Sequence, residues 1–188
     1  MSRHAWPRRA GAAAIIAGVL TLVYVGFVLA EAQLFQTTFR VSDAPPSRSV
    51  ARSSFALPEG TGLGRLRIPR IGMDTAIAEG ESGSVLRKGA GHLTDSSWLG
   101  EPGNIVLAGH RDTVFRSLRE IEVGDVINLV SRDRHAWYEV ASTAIVAPED
   151  LSVLESSSSN TLTLITCYPF GFFGPAPDRF VVRAAEIR

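Results

Sequence analysis

From about residue 60 onward the chain consists of short β-prone runs separated by glycine, proline, aspartate and serine. Apolar and polar positions alternate there or form brief apolar runs, which is typical of strands rather than of long amphipathic helices. The pattern predicts strands at residues 63–68, 73–77, 104–108, 126–130, 137–146, 162–166 and 180–185. Residues 113–119 and 149–154 predict two short helical turns.

Seven or more short strands with few helices predict an all-β domain, either a closed barrel or a sandwich. A closed β-barrel is favoured because closure leaves no exposed strand edges. The composition changes to this pattern near Gly62, so the globular domain is assigned to residues 61–188.

An uncharged, apolar stretch covers residues 11–30. At about 1.5 Å per residue, a helix of this length crosses a hydrocarbon core of about 30 Å. Three arginines lie within residues 1–10, and Glu31 is the first charge after the stretch. The positive-inside rule therefore predicts a single-pass anchor, with residues 1–10 in the cytoplasm and everything from Glu31 onward outside.

Two other interpretations of this stretch remain open. Residues 30–32 have the small-x-small pattern of a signal-peptidase site, although the apolar run is longer than a typical signal peptide's. A buried core helix is disfavoured because the run has no polar face. Residues 31–60, rich in threonine, serine, proline and arginine, are predicted to form a flexible linker between the anchor and the globular domain.

Charge excludes some partners. The chain has a net charge of zero, but beyond residue 60 it holds thirteen basic and sixteen acidic side chains, a net charge of −3. Nucleic-acid-binding proteins cluster lysine and arginine on one surface, whereas here the arginines are scattered among acids and Lys88 is the only lysine. No nucleic-acid partner is expected.

The chain has one cysteine, Cys167, at the end of the strand-like segment Thr-Leu-Thr-Leu-Ile-Thr-Cys. An exported lone thiol is either a buried, inert residue or a nucleophile. A thiol attacks an amide carbonyl only as the thiolate, so a nucleophilic cysteine needs a base or a positive charge nearby.

Two further residues supply that chemistry. His110 follows the buried-type strand Asn-Ile-Val-Leu-Ala and a glycine, which would deliver its imidazole to a sheet end. Arg179 opens the last predicted strand, and a guanidinium suits an oxyanion because it stays charged and offers several fixed donors. Adjacent strands could present Cys167 and Arg179 to one cleft. Arg183 shares the face of Arg179 but lies deeper along the strand.

The segments Leu-Ala-Gly-His110-Arg and Thr-Leu-Ile-Thr-Cys167, the downstream Arg179 and the N-terminal anchor resemble the signature of sortases, cysteine transpeptidases of bacterial surfaces. The Cys-Tyr-Pro-Phe and Gly-Pro-Ala-Pro-x-Arg forms are most similar to class D sortases. The resemblance covers about residues 62–188 and implies a closed barrel of about eight strands.

The resemblance also implies residue roles. Cys167 would attack the Thr–Gly-type bond of an LPxTG-like sorting signal at the C-terminus of a protein substrate and form a thioacyl enzyme. His110 would be the general acid and base, and Arg179 would hold substrate and oxyanion. An amine from a peptidoglycan precursor or a pilin lysine would then take the acyl group at the bacterial cytoplasmic membrane. No cofactor is implied.

Four more residues are candidates for lining the cleft. His92 lies in a glycine-rich loop and is a weaker candidate for the base, with a structural or cleft-lining role as the alternative. Asp112 could orient His110, but a solvated turn residue is favoured. Thr166 and Tyr168 flank the thiol, and groove lining and packing are equally supported. A metal site has little support, because the histidines lack ligand spacing and the acids are sparse.

Three functions therefore compete. The first is a membrane-anchored transpeptidase, and the second is a surface thiol protease in which water takes the acyl group from the same residues. The third is a non-enzymatic anchored barrel with an unreactive Cys167. The shared order of cysteine, histidine and arginine motifs behind an anchor favours the transpeptidase.

Overall fold

In the computed structural model, which describes residues 5–38, 57–98, 101–132 and 134–187, eight strands close into a single barrel. The strands are β1 (Gly62–Ile68), β2 (Met73–Glu79), β3 (Ala90–His92), β4 (Asn104–Ala108), β5 (Val126–Ser131), β6 (His135–Val146), β7 (Thr161–Tyr168) and β8 (Asp178–Ile187). Their order around the barrel is β1-β2-β3-β4-β7-β8-β6-β5. The predicted closed all-β fold is confirmed.

Alternation along the strands divides the barrel wall into an inner and an outer face. In β4, β7 and β8 the inward residues are almost completely buried. They are Ile105 and Leu107 of β4, Leu162 and Leu164 of β7, and Val182 and Ala184 of β8. The intervening residues of these strands lie on the outer face. The outer face is also covered in places, since Val106, Thr163 and Val181 lie on it and are at most 2% exposed.

All seven predicted strands are confirmed, with ends that differ by at most two residues. The eighth, β3, was predicted to be a glycine-rich loop, and that prediction is wrong. Its three residues are too few to show alternation, but they pair on both sides, Ile77 with Ala90 in parallel and Gly91 with Ala108 antiparallel. β3 thus links β2 to β4 and completes the closure.

The predicted helical turns are confirmed as 3₁₀ helices at Arg116–Glu120 and Leu151–Leu154. The Asp150 side chain caps the second, accepting a hydrogen bond from the Ser152 amide at 3.1 Å. Two further short helices were not predicted, a 3₁₀ helix at Pro69–Ile71 and the four-residue helix α2 at Gly83–Leu86.

One long helix, α1 (Ala5–Thr38), precedes the barrel. The most apolar 18-residue window of its segment Gly11–Thr38 has a mean hydropathy of 2.5, and the segment is long and apolar enough to cross a membrane. None of its most apolar window is buried, so it is not a core helix. The linker was predicted to begin at residue 31, but residues 31–38 continue the helix; the linker's residues 39–56 lie outside the described residues, as do residues 1–4 of the predicted cytoplasmic segment.

The end of α1 contacts the barrel through the side chain of Gln36. Its amide oxygen accepts a hydrogen bond from the Ala76 N–H at 2.8 Å, and its amide nitrogen donates to the Lys88 carbonyl at 2.6 Å and to the Thr75 hydroxyl at 3.1 Å. The Lys88 ammonium lies 2.6 Å from a Glu31 carboxylate oxygen, one turn and a half earlier in the helix. We call these contacts of Gln36 and Glu31 with the barrel the helix clip.

Candidate active site

The site is built first on the parallel pairing of β4 and β7. Their register runs to Ala108 opposite Ile165, and the Gly109 amide then donates to the Ile165 carbonyl at 3.2 Å. His110 lies two residues beyond Ala108, and Cys167 lies two residues beyond Ile165. The register therefore carries the imidazole and the thiol to equivalent positions at the carboxyl ends of neighbouring strands.

The antiparallel pairing of β7 and β8 adds the guanidinium. Cys167 and Arg179 are direct cross-strand partners. Side chains of directly paired residues lie on the same face of a sheet. The neighbouring pair, Thr166 and Phe180, turns towards the interior, so Cys167 and Arg179 lie on the outer face, where both are half-buried.

Close packing beneath His110 holds it beside β7. The buried Thr166 hydroxyl donates to the Gly109 carbonyl at 2.7 Å and ties the two strands together at this end. A Cβ at Gly109 would lie 2.7 Å from the buried Phe115 ring, so the close approach requires glycine. The Phe115 amide in turn donates to the His110 carbonyl at 2.9 Å. The backbone on both sides of the imidazole is thus fixed.

Arg111 and Arg179 hold the loop that joins β7 to β8. One Arg111 guanidinium nitrogen donates to the Phe172 carbonyl at 2.6 Å and to the Gly174 carbonyl at 3.0 Å. Arg179 donates to the loop's Ala176 carbonyl at 3.4 Å and to the Asp178 carbonyl, at the start of β8, at 3.0 Å. Because Arg111 follows His110 directly, the segment that carries the histidine also fixes the loop between the cysteine and the arginine.

A cavity of about 400 Å³ opens beside these residues. It lies between the segment after His110 and the β7–β8 loop, and its lining is Arg111, Asp112, Arg116, Arg119, Phe170, Gly171, Phe172, Phe173 and Gly174. The lining begins one residue after His110 and three residues after Cys167. A thiol, an imidazole and a guanidinium at the ends of three adjacent strands, beside such a cavity, suit acyl transfer.

Comparison with known proteins agrees with this arrangement. A family model described as "Sortase domain" matches residues 66–187, more than half of the chain. The chain belongs to the sortase family. Sortases are cysteine transpeptidases, so the family accounts for the barrel and for the general class of reaction.

Its similarity to individual relatives shows that this sortase is class D-like. It is 41% identical over 137 residues to "Sortase D" of Bacillus subtilis, covering 72% of this chain and 69% of that protein. It also resembles the structure of a Clostridium perfringens "Sortase D5 transpeptidase" at 33% identity and a TM-score of 0.64, covering 70% of this chain and 82% of that one. A C. perfringens sortase C, solved with a C-terminal cell wall sorting motif, matches at 30% identity and a TM-score of 0.64, covering 70% and 73%.

In this sortase His92 lies in the interior rather than in the cleft. Its side chain is 0% exposed; one ring nitrogen lies 3.1 Å from a carboxylate oxygen of buried Glu79, and the other lies 3.1 Å from the Ser97 carbonyl. Trp98 packs against the ring edge to face, with the ring centroids 5.0 Å apart. Complete burial is incompatible with cleft lining in this conformation and favours the structural alternative.

The other cleft candidates differ in their surroundings. Asp112 is exposed and lines the cavity. Tyr168 packs on Phe170 and Phe180, with ring centroids 6.1 and 6.4 Å apart. The Thr166 side chain is buried, and its hydroxyl bonds the Gly109 carbonyl. Within the described part of the chain, no group of three or more histidine, cysteine, aspartate or glutamate side chains could hold a metal ion.

Sequence reasoning missed Arg111 as a residue of the site. The sequence feature that could have identified it is its place directly after His110 in the motif. Its role depends on carbonyls of the β7–β8 loop more than sixty residues away, which no local pattern predicts.

Proposed function

We propose that this chain is a membrane-anchored sortase that cleaves an LPxTG-like sorting signal and transfers the acyl fragment to an amine. The observation that carries the proposal is the strand register, in which Cys167 and Arg179 are direct partners and His110 follows the strand beside Cys167. A C. perfringens neighbour solved with a cell wall sorting motif supports the same class of substrate.

In the first half-reaction the Cys167 thiolate attacks the carbonyl carbon of the Thr–Gly-type bond. The carbonyl electron pair moves to oxygen, and the guanidinium of Arg179 stabilises that oxyanion. When the tetrahedral intermediate collapses, the C–N bond breaks and protonated His110 donates its proton to the departing amine. The product is a thioester on Cys167.

In the second half-reaction an amine attacks the thioester carbonyl. Neutral His110 accepts the proton that the amine loses, and the C–S bond breaks, so that Cys167 leaves as a thiolate. The acceptor belongs to a peptidoglycan precursor or is a pilin lysine. The anchor at residues 11–30 keeps this chemistry on the outer side of the cytoplasmic membrane, with residues 1–10 inside.

A labelled LPxTG-type peptide, given to the full chain in detergent with and without an amine acceptor, tests the proposal. We expect cleavage to require Cys167, and the amine to divert the labelled fragment from the hydrolysed form into an amide. Cys167→Ala is the control for background cleavage. Hydrolysis that no amine diverts would replace the transpeptidase with a thiol protease, and an unreactive Cys167 would leave a non-enzymatic barrel.

A further inference from the structure

The cavity beside the active site has a basic lining. It contains three arginines, Arg111, Arg116 and Arg119, against a single acid, Asp112. Arg119 has a local partner, since its Nε lies 3.2 Å from a Glu120 carboxylate oxygen. Elsewhere the domain carries more acids than bases. A local excess of positive charge in a concave site attracts anions.

Two of these arginines keep a charge without a counterion. Among the described residues, neither Arg111 nor Arg116 forms an ion pair with a carboxylate. Arg116 is exposed at the start of its 3₁₀ helix. Its guanidinium can therefore reach a ligand at little cost in competing interactions.

Arg111 supplies an independent indication of a ligand. One of its guanidinium nitrogens donates to the two carbonyls of the β7–β8 loop, as described above. The other, Nη1, is buried and has no hydrogen-bond partner among the described residues. Buried donors are normally satisfied, so an unsatisfied one on a residue that lines a cavity points to an acceptor from outside the protein, which a small shift of the guanidinium would bring within reach. A carboxylate or phosphate oxygen fits a guanidinium best.

The position of the cavity tells which part of the reaction it serves. Its lining starts at Arg111, the residue after His110. In the proposed function His110 exchanges protons with the amine that leaves and with the amine that enters, so the cavity lies on the amine side of the scissile carbonyl. The leaving peptide departs before the acceptor reacts. An anion site here can therefore select the acceptor.

We propose that the cavity formed by Arg111, Arg116 and Arg119 binds an oxyanion, in the first place a carboxylate, that the amine acceptor carries within about 10 Å of its reactive amine, the span of a three-residue peptide. The proposal rests on the proposed function, because it assigns the acceptor of that same reaction. The exposed Phe172 and the fully exposed Phe173 give the site an apolar rim. The acceptor class would then be amines with a nearby acid, rather than simple alkylamines.

Matched acceptors test the proposal on the full chain in detergent, with one LPxTG-type donor. Triglycine and triglycinamide have similar amines but differ in the terminal charge, and 2-aminoethyl phosphate provides a phosphate arm. The readout is the ratio of aminolysis to hydrolysis, which does not depend on the rate of acylation. We expect triglycine to exceed triglycinamide by about tenfold at low salt, and the difference to shrink as salt is added.

Variants assign the preference to the cavity. Arg116→Gln/Arg119→Gln should reduce it to about twofold or less. Arg132→Gln is the matched control, because Arg132 is exposed in the β5–β6 turn, at the end of the barrel opposite Arg179.

Equal use of triglycine and triglycinamide would overturn the proposal, and so would a preference that survives in the double variant. A preference for aminoethyl phosphate alone would overturn the carboxylate in favour of a phosphate-bearing acceptor. If a terminal carboxylate matters only on the leaving peptide of the donor, the acceptor assignment is wrong. Failure to form any acyl enzyme would instead refute the proposed function itself, and the acceptor assignment with it.

Discussion

At the level of single residues, the proposed catalysis depends on one cross-strand pair. Cys167 and Arg179 face each other across β7 and β8. In the proposed reaction, a directly paired position would bring a guanidinium to the reacting carbonyl without a long loop to order, so little reorganisation would be needed when charge develops on oxygen. Arginine also offers a planar fork of donors that lysine lacks.

Replacement of Arg179 tests this pair. Arg179→Ala should lower kcat/KM for the donor peptide by about 10²- to 10³-fold, because an oxyanion donor is lost. Arg179→Lys should restore only part of the rate, since it keeps the charge but not the fork. Steady-state kinetics on the full chain measures both.

Arg183→Lys is the matched control. Arg183 lies on the same face four residues along β8 and donates to the Ser152 carbonyl at 3.0 Å. We expect kcat/KM of the Arg183→Lys variant to stay within about threefold of the parent's, as for substitutions remote from the reacting atoms. If Arg179→Ala behaved like this control, Arg179 would have no role in catalysis.

At the element scale, the parallel pair β4 and β7 aligns the histidine with the cysteine. Two buried threonine hydroxyls join these strands, one at each end. Thr166 donates to the Gly109 carbonyl at 2.7 Å near the site, and Thr163 donates to the Asn104 side-chain oxygen at 2.7 Å near the start of β4. The pair allows stability to be separated from catalysis.

Thr166→Val and Thr163→Val should each lower the free energy of unfolding by about 1 kcal/mol, because each removes a buried hydrogen bond. Only Thr166→Val should also lower kcat, since only Thr166 fixes the backbone in front of His110. Denaturant unfolding and single-turnover acylation provide the two readouts. Equal losses of kcat in both variants would mean that the tie at Gly109 does not position the imidazole.

A second link between elements joins the 3₁₀ helix at Pro69–Ile71 to the turn before β5. Arg70 binds the Asp125 carboxylate with two guanidinium nitrogens, one of them at 2.6 Å, and the Glu122 amide donates to the same carboxylate at 2.8 Å. The Arg70 hydrogen bonds, and to a lesser extent the Glu122 amide, lower the pKa of Asp125 against the opposing effect of burial.

A lowered pKa in the folded state means that the unfolded chain binds the proton more tightly. The stability due to ionised Asp125 is therefore fully present above the unfolded pKa of about 3.9 and is lost as pH falls below it towards the folded value. Asp125→Asn should cost about 1 kcal/mol at pH 6 and flatten the loss of stability below about pH 4. Urea unfolding at several pH values measures this.

Asp95→Asn, in an exposed turn, is the control for that pH series. It should leave the profile parallel to that of the parent. An Asp125→Asn profile that fell as steeply in acid as the parent's would show that another group governs acid unfolding.

The elements also show where sequence patterns suffice. The strands of six or more residues and β4 were predictable because alternation or a continuous apolar run marks them. β3 was not, because its three residues owe their strand conformation to partners on both sides, Ile77 and Ala108 among them. The proposed catalytic residues came from motifs, whereas the contacts of Arg111 and Gln36 depend on segments distant in sequence.

At the scale of the whole molecule, the helix clip connects α1 to the barrel. Gln36 bonds a backbone N–H and a backbone C=O on β2 and the segment before β3, as a neighbouring strand would. With residues 11–30 in the bilayer as proposed, the clip holds the barrel at the membrane surface on a helical stem.

Gln36→Ala tests the clip. We expect faster hydrogen exchange at the Ala76 amide and a loss of stability of about 1 kcal/mol in the full chain, because both backbone groups lose their partner. Gln33→Ala, on an exposed position of the same helix, is the control and should leave exchange unchanged. Identical exchange in the two variants would show that the helix end does not hold the barrel.

In the proposed function Cys167 carries the acyl group. The intact mass of the full chain, measured after mixing with an LPxTG-type peptide in the absence of amine, tests this most directly. We expect an adduct with the mass of the donor fragment, mapped to Cys167 and discharged by added triglycine. Cys167→Ala should form none, and His110→Gln should accumulate far less. Undiminished cleavage of the peptide by the full chain without any adduct, or an adduct on another residue, would contradict the proposed role of Cys167.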